Sequence, residues 1–104
     1  MAKSYRYLDE YVKSDTADHG AVSVSEVTPT LIRDTQFGRI SLVVQNSGST
    51  VLAIGTSSSL TLANGVELAA GASITFDDYM GPVYGLATTS AIDTRYWETR
   101  HAES

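Results

Sequence analysis

From residue 21 onward, short runs rich in β-branched side chains alternate with polar stretches that contain Gly, Asn, Asp, Ser and Thr. This pattern is typical of short strands joined by turns. Turn residues recur about every 8–12 positions, the spacing of an antiparallel sandwich. The sequence predicts an all-β fold, an antiparallel β-sandwich of jelly-roll type, with strands at 22–27, 30–33, 39–45, 51–55, 60–62, 66–68, 73–76, 83–87 and 92–98.

Alternation within these runs predicts which side chains face the interior, because successive side chains of a strand point to opposite faces. The expected core consists of Ile40, Leu42, Val44, Leu60, Leu62, Val66, Leu68, Ile74, Phe76, Ile92, Thr94 and Tyr96. Turns are expected at residues 46–48 and 69–71, where Asn or Gly tolerates a positive φ. Asn64-Gly65 between two apolar runs predicts a tight hairpin.

Residues 1–20 carry more charge and predict a separate N-terminal arm, with residues 21–104 as the sandwich domain. Ser4 can cap a short helix whose apolar stripe would be Tyr7, Leu8, Tyr11 and Val12. A helix of about ten residues is marginal on its own. We therefore expect the arm to pack on its own domain or on a neighbouring subunit.

Composition narrows the classes of partner. The 104 residues include 7 basic and 12 acidic side chains, for a net charge of −5, which disfavours nucleic acid. The chain has 0 cysteines, which excludes disulfides and thiolate metal sites. No segment approaches the ~20 apolar residues that cross a membrane. We expect a single-domain protein that is made in the cytoplasm of the cell that translates it and binds neither nucleic acid nor membranes.

Candidate catalytic groups are sparse. His19 and His101 lie in polar segments without a second histidine at ligand spacing. The chain contains no G-x-S-x-G, P-loop or G-x-G-x-x-G motif. Asp77 and Asp78 suit turn capping, with a calcium site as the alternative. We expect no enzyme activity, no metal and no cofactor.

Aromatic and guanidinium groups cluster near the C-terminus, at Arg95, Tyr96, Trp97 and Arg100. Such groups are enriched among the anchors of protein interfaces. Tyr96 and Trp97 must face opposite sides of a strand, so that one of them is expected outside the core. Two interpretations stay open: Trp97 contacts a partner, or it packs under the N-terminal arm.

The middle of the chain resembles a known kind of module. The matching segments are RISLVVQN at 39–46, VLAIG at 51–55, NGVELAAGASITFD at 64–77 and GPVYGLA at 81–87, preceded by TLI at 30–32. Over about residues 28–98 the chain is similar to β-rich modules of tailed-phage virion proteins, such as capsid decoration (cement) proteins and domains of head or tail fibres. The resemblance implies a sandwich that binds other virion subunits and performs no chemistry.

Within that resemblance we expect a capsid decoration protein, because the chain has no separate shaft or repeat. It would bind the major capsid protein on the outer surface of the virion at capsomer junctions, as a dimer or trimer. The arm would provide apolar anchors and cations, and the expected partner-binding residues are Tyr5, Arg6, Tyr7, Leu8, Tyr11, Lys13, Arg95, Trp97 and Arg100.

The alternative is a receptor- or glycan-binding module of a tail or fibre. In that case Tyr79, Tyr84 and Trp97 would form an aromatic platform for a sugar.

Overall fold

The computed structural model describes residues 16–101. Within that range all regular elements are strands, and there are eight. They are β1 (Thr16–Val24), β2 (Thr30–Arg33), β3 (Arg39–Asn46), β4 (Leu52–Gly55), β5 (Val66–Leu68), β6 (Ser73–Asp77), β7 (Val83–Ala87) and β8 (Ile92–Arg100).

The strands form two four-stranded sheets that pack against each other. Sheet A has the order β1-β8-β3-β6 and sheet B the order β2-β7-β4-β5. Every strand pair is antiparallel. The predicted all-β class and antiparallel sandwich are confirmed for the described residues.

Inward-facing side chains of both sheets form one apolar core. Its buried members are Val24, Ile32, Leu42, Val44, Leu52, Ile54, Leu68, Val83, Ala87 and Ile92. Alternation predicts Leu42, Val44, Leu68 and Ile92 correctly. The expected core residues Ile74, Phe76 and Tyr96 are half-buried and pack at the margin of this cluster.

The first strand begins at Thr16, well before the predicted start at residue 22, and runs across the predicted boundary between arm and domain. It pairs with β8 along its whole length, from Thr16 opposite Arg100 to Val24 opposite Ile92. The polar start of β1 explains the difference, because alternation of apolar residues is the main signal for a strand. The predicted helix lies in residues 1–15, outside the described residues.

The predicted strand at 60–62 and its hairpin are wrong. The amide of Thr61 donates to Asn64 Oδ1 at 2.7 Å, and the amide of Asn64 donates to Thr61 Oγ1 at 3.2 Å. These bonds close a turn in place of a strand. β5 pairs with β4 instead, and the expected core residues Leu62 and Val66 are 47% and 57% exposed.

Leu60 has a different role from the predicted one. It is buried against Ala53 and Leu86, so that the loop after β4 covers the outer face of sheet B. A Cβ atom on Gly55 or Gly65 would lie 2.8 or 2.6 Å from Leu60 Cδ1. Glycine at these two positions leaves room for the leucine.

A β-bulge near the start of β3 changes which side chain points inward. Arg39 lies opposite Arg100 and Ser41 opposite Thr99, so that Ile40 is the additional residue. Arg39 is 3% exposed, whereas Ile40 is only half-buried. The expected core position of Ile40 is therefore wrong, and an arginine occupies the interior at this end of the sandwich.

The predicted turns at 46–48 and 69–71 are confirmed. The buried amide of Asn46 donates to the carbonyls of Thr50 and Leu68 at 2.8 and 2.9 Å, and its oxygen accepts from the amide of Gly48 at 2.9 Å. Gly71 has a φ of 80°. These turns hold β3, β4 and β6 together at one end of the sandwich.

Candidate binding face

The outer face of sheet A carries the sole tryptophan of the chain. Exposed and buried positions alternate along β8, which directs Trp97 away from the core. Trp97 lies on an interior strand of the sheet and is nevertheless 52% exposed. Half of a large indole is thus presented to solvent in the middle of a flat face.

The strand register places neighbours on both sides of this indole. His19 of β1 and Val43 of β3 lie directly opposite Trp97. The rings of His19 and Trp97 are stacked, with centroids 6.0 Å apart and an interplanar angle of 17°. Together these three side chains form a row across three strands.

The adjacent row is polar. Arg95 lies between Ala21 of β1 and Gln45 of β3. Its guanidinium donates to Asp93 Oδ2 at 3.0 and 2.8 Å in an exposed ion pair. An exposed pair of this kind contributes little to stability, which leaves the guanidinium available to a partner.

We call His19, Val43, Gln45, Arg95 and Trp97 the Trp97 face. A shallow depression of about 280 Å³ lies beside the indole, lined by Val43, Gln45, Ser73 and the chain at 95–97. The face combines an apolar ring, a planar cation and an amide. Tryptophan and arginine are the side chains most enriched where binding energy concentrates in protein interfaces.

The structure places only part of the predicted partner-binding set on this face. Arg95 and Trp97 lie on it. Arg100 lies at the end of β8, where it donates to Asp18 Oδ2 at 2.9 Å. The other expected residues lie outside the described part of the chain: Tyr5, Arg6, Tyr7, Leu8, Tyr11 and Lys13.

The sequence analysis missed His19, Val43 and Gln45 as members of the face. Alternation in β3 carries a signal for two of them, because Val43 and Gln45 must point outward if Leu42 and Val44 point inward. Alternation within a strand does not predict that β1, β8 and β3 are neighbours. Only this strand order brings the residues of the face together.

A buried ion cluster, which the sequence analysis also missed, lies between the two sheets. Its members are Arg33 of β2, Arg39 of β3 and Glu98 of β8. The Glu98 carboxylate is fully buried and accepts from Arg33 at 3.2 and 2.9 Å and from Arg39 Nε at 2.8 Å. Because Arg33 belongs to sheet B and Glu98 to sheet A, the cluster joins the sheets.

The remaining polar atoms of the cluster also have partners. Arg39 donates to the carbonyls of Gly81 at 2.8 Å and Asp34 at 2.6 Å. Arg33 donates to the hydroxyl of Tyr96 at 3.1 Å and stacks over that ring at 4.6 Å from its centroid. The Arg39–Glu98 pair is therefore part of the packed interior, whereas Arg33 lies at its margin with 24% of its side chain exposed.

Electrostatics fixes the charge state of Glu98. Burial alone would raise the pKa of this carboxyl, but hydrogen bonds and charge from Arg33 and Arg39 outweigh burial and hold the pKa below its ordinary value. The same carboxylate raises the pKa of Arg33. Glu98 and Arg33 are thus both charged at neutral pH.

A second exposed apolar group lies at one end of the sandwich. Phe37 is 75% exposed and Met80 is 42% exposed. The loops that carry them are joined, since the Gln36 amide donates to the Met80 carbonyl at 2.9 Å and the Gly38 amide to its sulfur at 3.3 Å. Polar groups adjoin this pair, since Asp78 and His101 line a shallow depression of about 360 Å³ together with Met80.

The three aromatic residues of the predicted glycan platform are not brought together. Tyr79 packs on Phe76 with ring centroids 5.9 Å apart and donates to the Pro82 carbonyl. Tyr84 packs against the small cluster on the outer face of sheet B. Only Trp97 lies on the outer face of sheet A.

Within residues 16–101, no group of three or more His, Asp or Glu side chains has the geometry of a metal site. No helix long and apolar enough to cross a membrane occurs in the same range. Comparisons with protein-family models, curated proteins and solved structures find no match to this chain.

Proposed function

We propose that this chain is a non-catalytic structural protein of a tailed-phage particle, a capsid decoration protein that binds the major capsid protein on the outer shell. The observation that supports this most is the Trp97 face, an exposed surface with a tryptophan at its centre and an arginine beside it. The resemblance of residues 28–98 to virion modules supplies the biological setting.

The order of strand pairing supports a jelly-roll assignment, which forms part of this proposal. β1 pairs with β8, β2 with β7, β3 with β6 and β4 with β5, a nested series in which each pair encloses the next. A jelly-roll has eight strands in two packed sheets and is common in viral capsid and lectin domains. Such a fold offers broad sheet faces for docking.

Binding would stabilise the shell by mass action. A protein that binds the assembled shell and not the separate subunits shifts the equilibrium against disassembly. Copies at junctions between capsomers would each contact more than one coat subunit, and repetition over a symmetric shell multiplies modest contacts. The proposed location is therefore the capsid surface.

The N-terminal segment is proposed as a second contact. Tyr5, Tyr7, Leu8 and Tyr11 would provide apolar anchors, with Arg6 and Lys13 pairing with coat carboxylates. The segment joins the sandwich at β1, the strand that carries His19 of the Trp97 face.

The test is co-sedimentation with expanded empty capsids of the phage that encodes the chain. Trp97→Ala should weaken binding by about 2 kcal/mol or more, which is about 30-fold, because central aromatic anchors dominate interface energetics. Leu62→Ala is the control, since Leu62 is 47% exposed and lies in the loop between β4 and β5 of sheet B. Equal binding by the Trp97 variant and wild type would refute the proposed face.

The alternative, a glycan-binding module of a tail or fibre, is favoured by one feature. The exposed indole of Trp97 adjoins a depression with the polar side chains of Gln45, Ser73 and Arg95, and an aromatic face beside hydrogen-bonding groups suits a sugar ring. A glycan array distinguishes the two functions: hits that disappear in Trp97→Ala would support this alternative, whereas a decoration protein should give none.

A further inference from the structure

The pair Asn64-Gly65, which does not form the expected hairpin, has a second chemical property. An asparagine followed by glycine is prone to deamidation, because glycine has no Cβ to hinder the approach of its nitrogen to the asparagine side chain. The backbone nitrogen of Gly65 attacks Cγ of Asn64, a C–N bond forms, and ammonia leaves to give a succinimide. Water then opens this ring to aspartate or isoaspartate, so that a neutral amide becomes a carboxylate.

The turn at residues 61–65 engages both reacting groups. The side-chain amide of Asn64 is held at both ends: Oδ1 accepts from the amide of Thr61 at 2.7 Å, and Nδ2 donates to the Ser59 carbonyl at 3.3 Å. The attacking nitrogen is also engaged, since the Gly65 amide donates to the Thr61 carbonyl at 3.1 Å. Attack on Cγ therefore requires that these hydrogen bonds break.

The backbone of this turn adds a geometric barrier. The amide of Asn64 donates to the carbonyl and to the hydroxyl of Thr61, at 3.3 and 3.2 Å. Reciprocal bonds between residues three apart are of the capping-box type, and the bond from Gly65 to Thr61 has the spacing of an α-helical bond. In a helical turn each N–H is directed along the axis to a carbonyl of the preceding turn, so that it does not face the preceding side chain.

We propose that Asn64 is a latent deamidation site, protected in the folded protein by its hydrogen bonds within the turn and reactive when the turn opens. Asn64 is exposed, so that water has access for the second step. The other asparagine of the chain, Asn46, is fully buried and precedes Ser47, whose side chain hinders the same attack. Asn64 is therefore the site at which the reaction is expected.

Modification of Asn64 would disturb the cover of sheet B. Aspartate lacks the Nδ2 donor to the Ser59 carbonyl. Isoaspartate in addition inserts a methylene group into the backbone just before Gly65. A Cβ atom on Gly65 would lie 2.6 Å from Leu60 Cδ1, so that the packing leaves no room for this insertion. Isoaspartate should therefore displace Leu60 from the outer face of sheet B.

Peptide mapping by mass spectrometry tests the proposal on the full chain, incubated folded and in guanidinium chloride at the same mildly alkaline pH. Aspartate and isoaspartate at position 64 should form at least about tenfold more slowly in the folded chain, because opening breaks several hydrogen bonds. Thr61→Ala, which removes one acceptor of the turn, should raise the rate in the folded chain roughly two- to tenfold. Ser58→Ala, exposed in the same loop, is the control and should leave the rate unchanged.

Equal rates in the folded and unfolded chain, or equal rates in the two folded variants, would overturn the proposed protection. A faster reaction at Asn46 than at Asn64 in the unfolded chain would overturn the choice of site. Ion exchange separates the isoaspartate form by its additional negative charge, and this form should unfold at a lower temperature than the unmodified protein. An unchanged unfolding temperature would overturn the proposed displacement of Leu60.

Discussion

At the scale of single residues, Glu98 shows how a charge can be accommodated in a sandwich core. The carboxylate has 0% exposure and is held by Arg33 and Arg39 from two different strands. A buried ion pair gives little net stability compared with an apolar core, but loss of one partner leaves a buried charge without compensation. The cluster therefore makes the contact between the sheets specific.

Glu98→Gln should lower the free energy of unfolding by about 3–5 kcal/mol, because the buried guanidinium of Arg39 loses its counter-charge and the partly buried one of Arg33 loses its nearer carboxylate. Urea denaturation measures the change. Glu67→Gln on the exposed strand β5 is the control and should stay within about 0.5 kcal/mol of wild type. Equal effects of the two substitutions would contradict the role given to the ion cluster.

Acid should destabilise the protein through the same residue. The pKa of Glu98 is lower in the folded state than in the unfolded chain, so the unfolded chain takes up more protons as the pH falls. The stabilisation from Glu98 is therefore complete above about pH 4.3, the ordinary pKa of glutamate, and is lost below it. A ¹³C NMR titration should place the midpoint of the Glu98 carboxyl below that value, and a midpoint above it would contradict the charge state assigned here.

Part of this ion cluster can be predicted from the sequence. Glu98 shares the parity of Ile92, Thr94 and Tyr96 in β8, which marks it as inward-facing and in need of a cation. Its partners Arg33 and Arg39 lie far away along the chain, and the bulge at Ile40 decides that Arg39 points inward. The alternation of residues within one strand predicts neither the pairing of distant strands nor the position of a β-bulge.

At the scale of elements, most strands follow from their apolar alternation, and the two main differences have distinct causes. β1 starts with Thr, Ala, Asp and His, and its pairing with β8 makes it a strand despite this weak local pattern. The opposite holds for residues 60–62. Their two leucines suggest a strand, but hydrogen bonds between Thr61 and Asn64 form a turn.

Leu60 and Leu62 provide a matched pair of substitutions for that loop. Leu60→Ala should destabilise the protein by about 2 kcal/mol or more, because it removes the side chain that covers Ala53 and Leu86. Leu62→Ala should change stability by less than about 0.5 kcal/mol, since Leu62 is largely exposed. Thermal or urea unfolding measures both, and similar losses from the two variants would indicate that the segment is a strand after all.

At the scale of the whole molecule, the buried charged residues lie between the two sheets, and the side chains of the Trp97 face lie outside them. The charged residues of the interior, Arg39 and Glu98, are used to hold the sheets together. The exposed tryptophan and its neighbours occupy the outer face of sheet A.

The sequence predicts the fold class well and the binding face only in part. Arg95 and Trp97 can be named from residue type alone, because arginine and tryptophan are enriched among the anchors of protein interfaces. His19, Val43 and Gln45 join them only through the order of strands in sheet A. Strand order depends on contacts between distant residues, and single-sequence patterns do not contain them.

The proposed function depends on the Trp97 face as the surface that binds the capsid shell. Because Trp97 is the sole tryptophan, replacing it biosynthetically with 5-hydroxytryptophan gives a fluorophore that can be excited apart from the tryptophans of the capsid. Acrylamide quenching of this probe, measured free in solution and bound to empty capsids, reports whether the indole becomes covered. We expect a marked loss of quenching on binding. A chain that binds capsids with unchanged quenching, or does not bind them, would contradict docking through the Trp97 face.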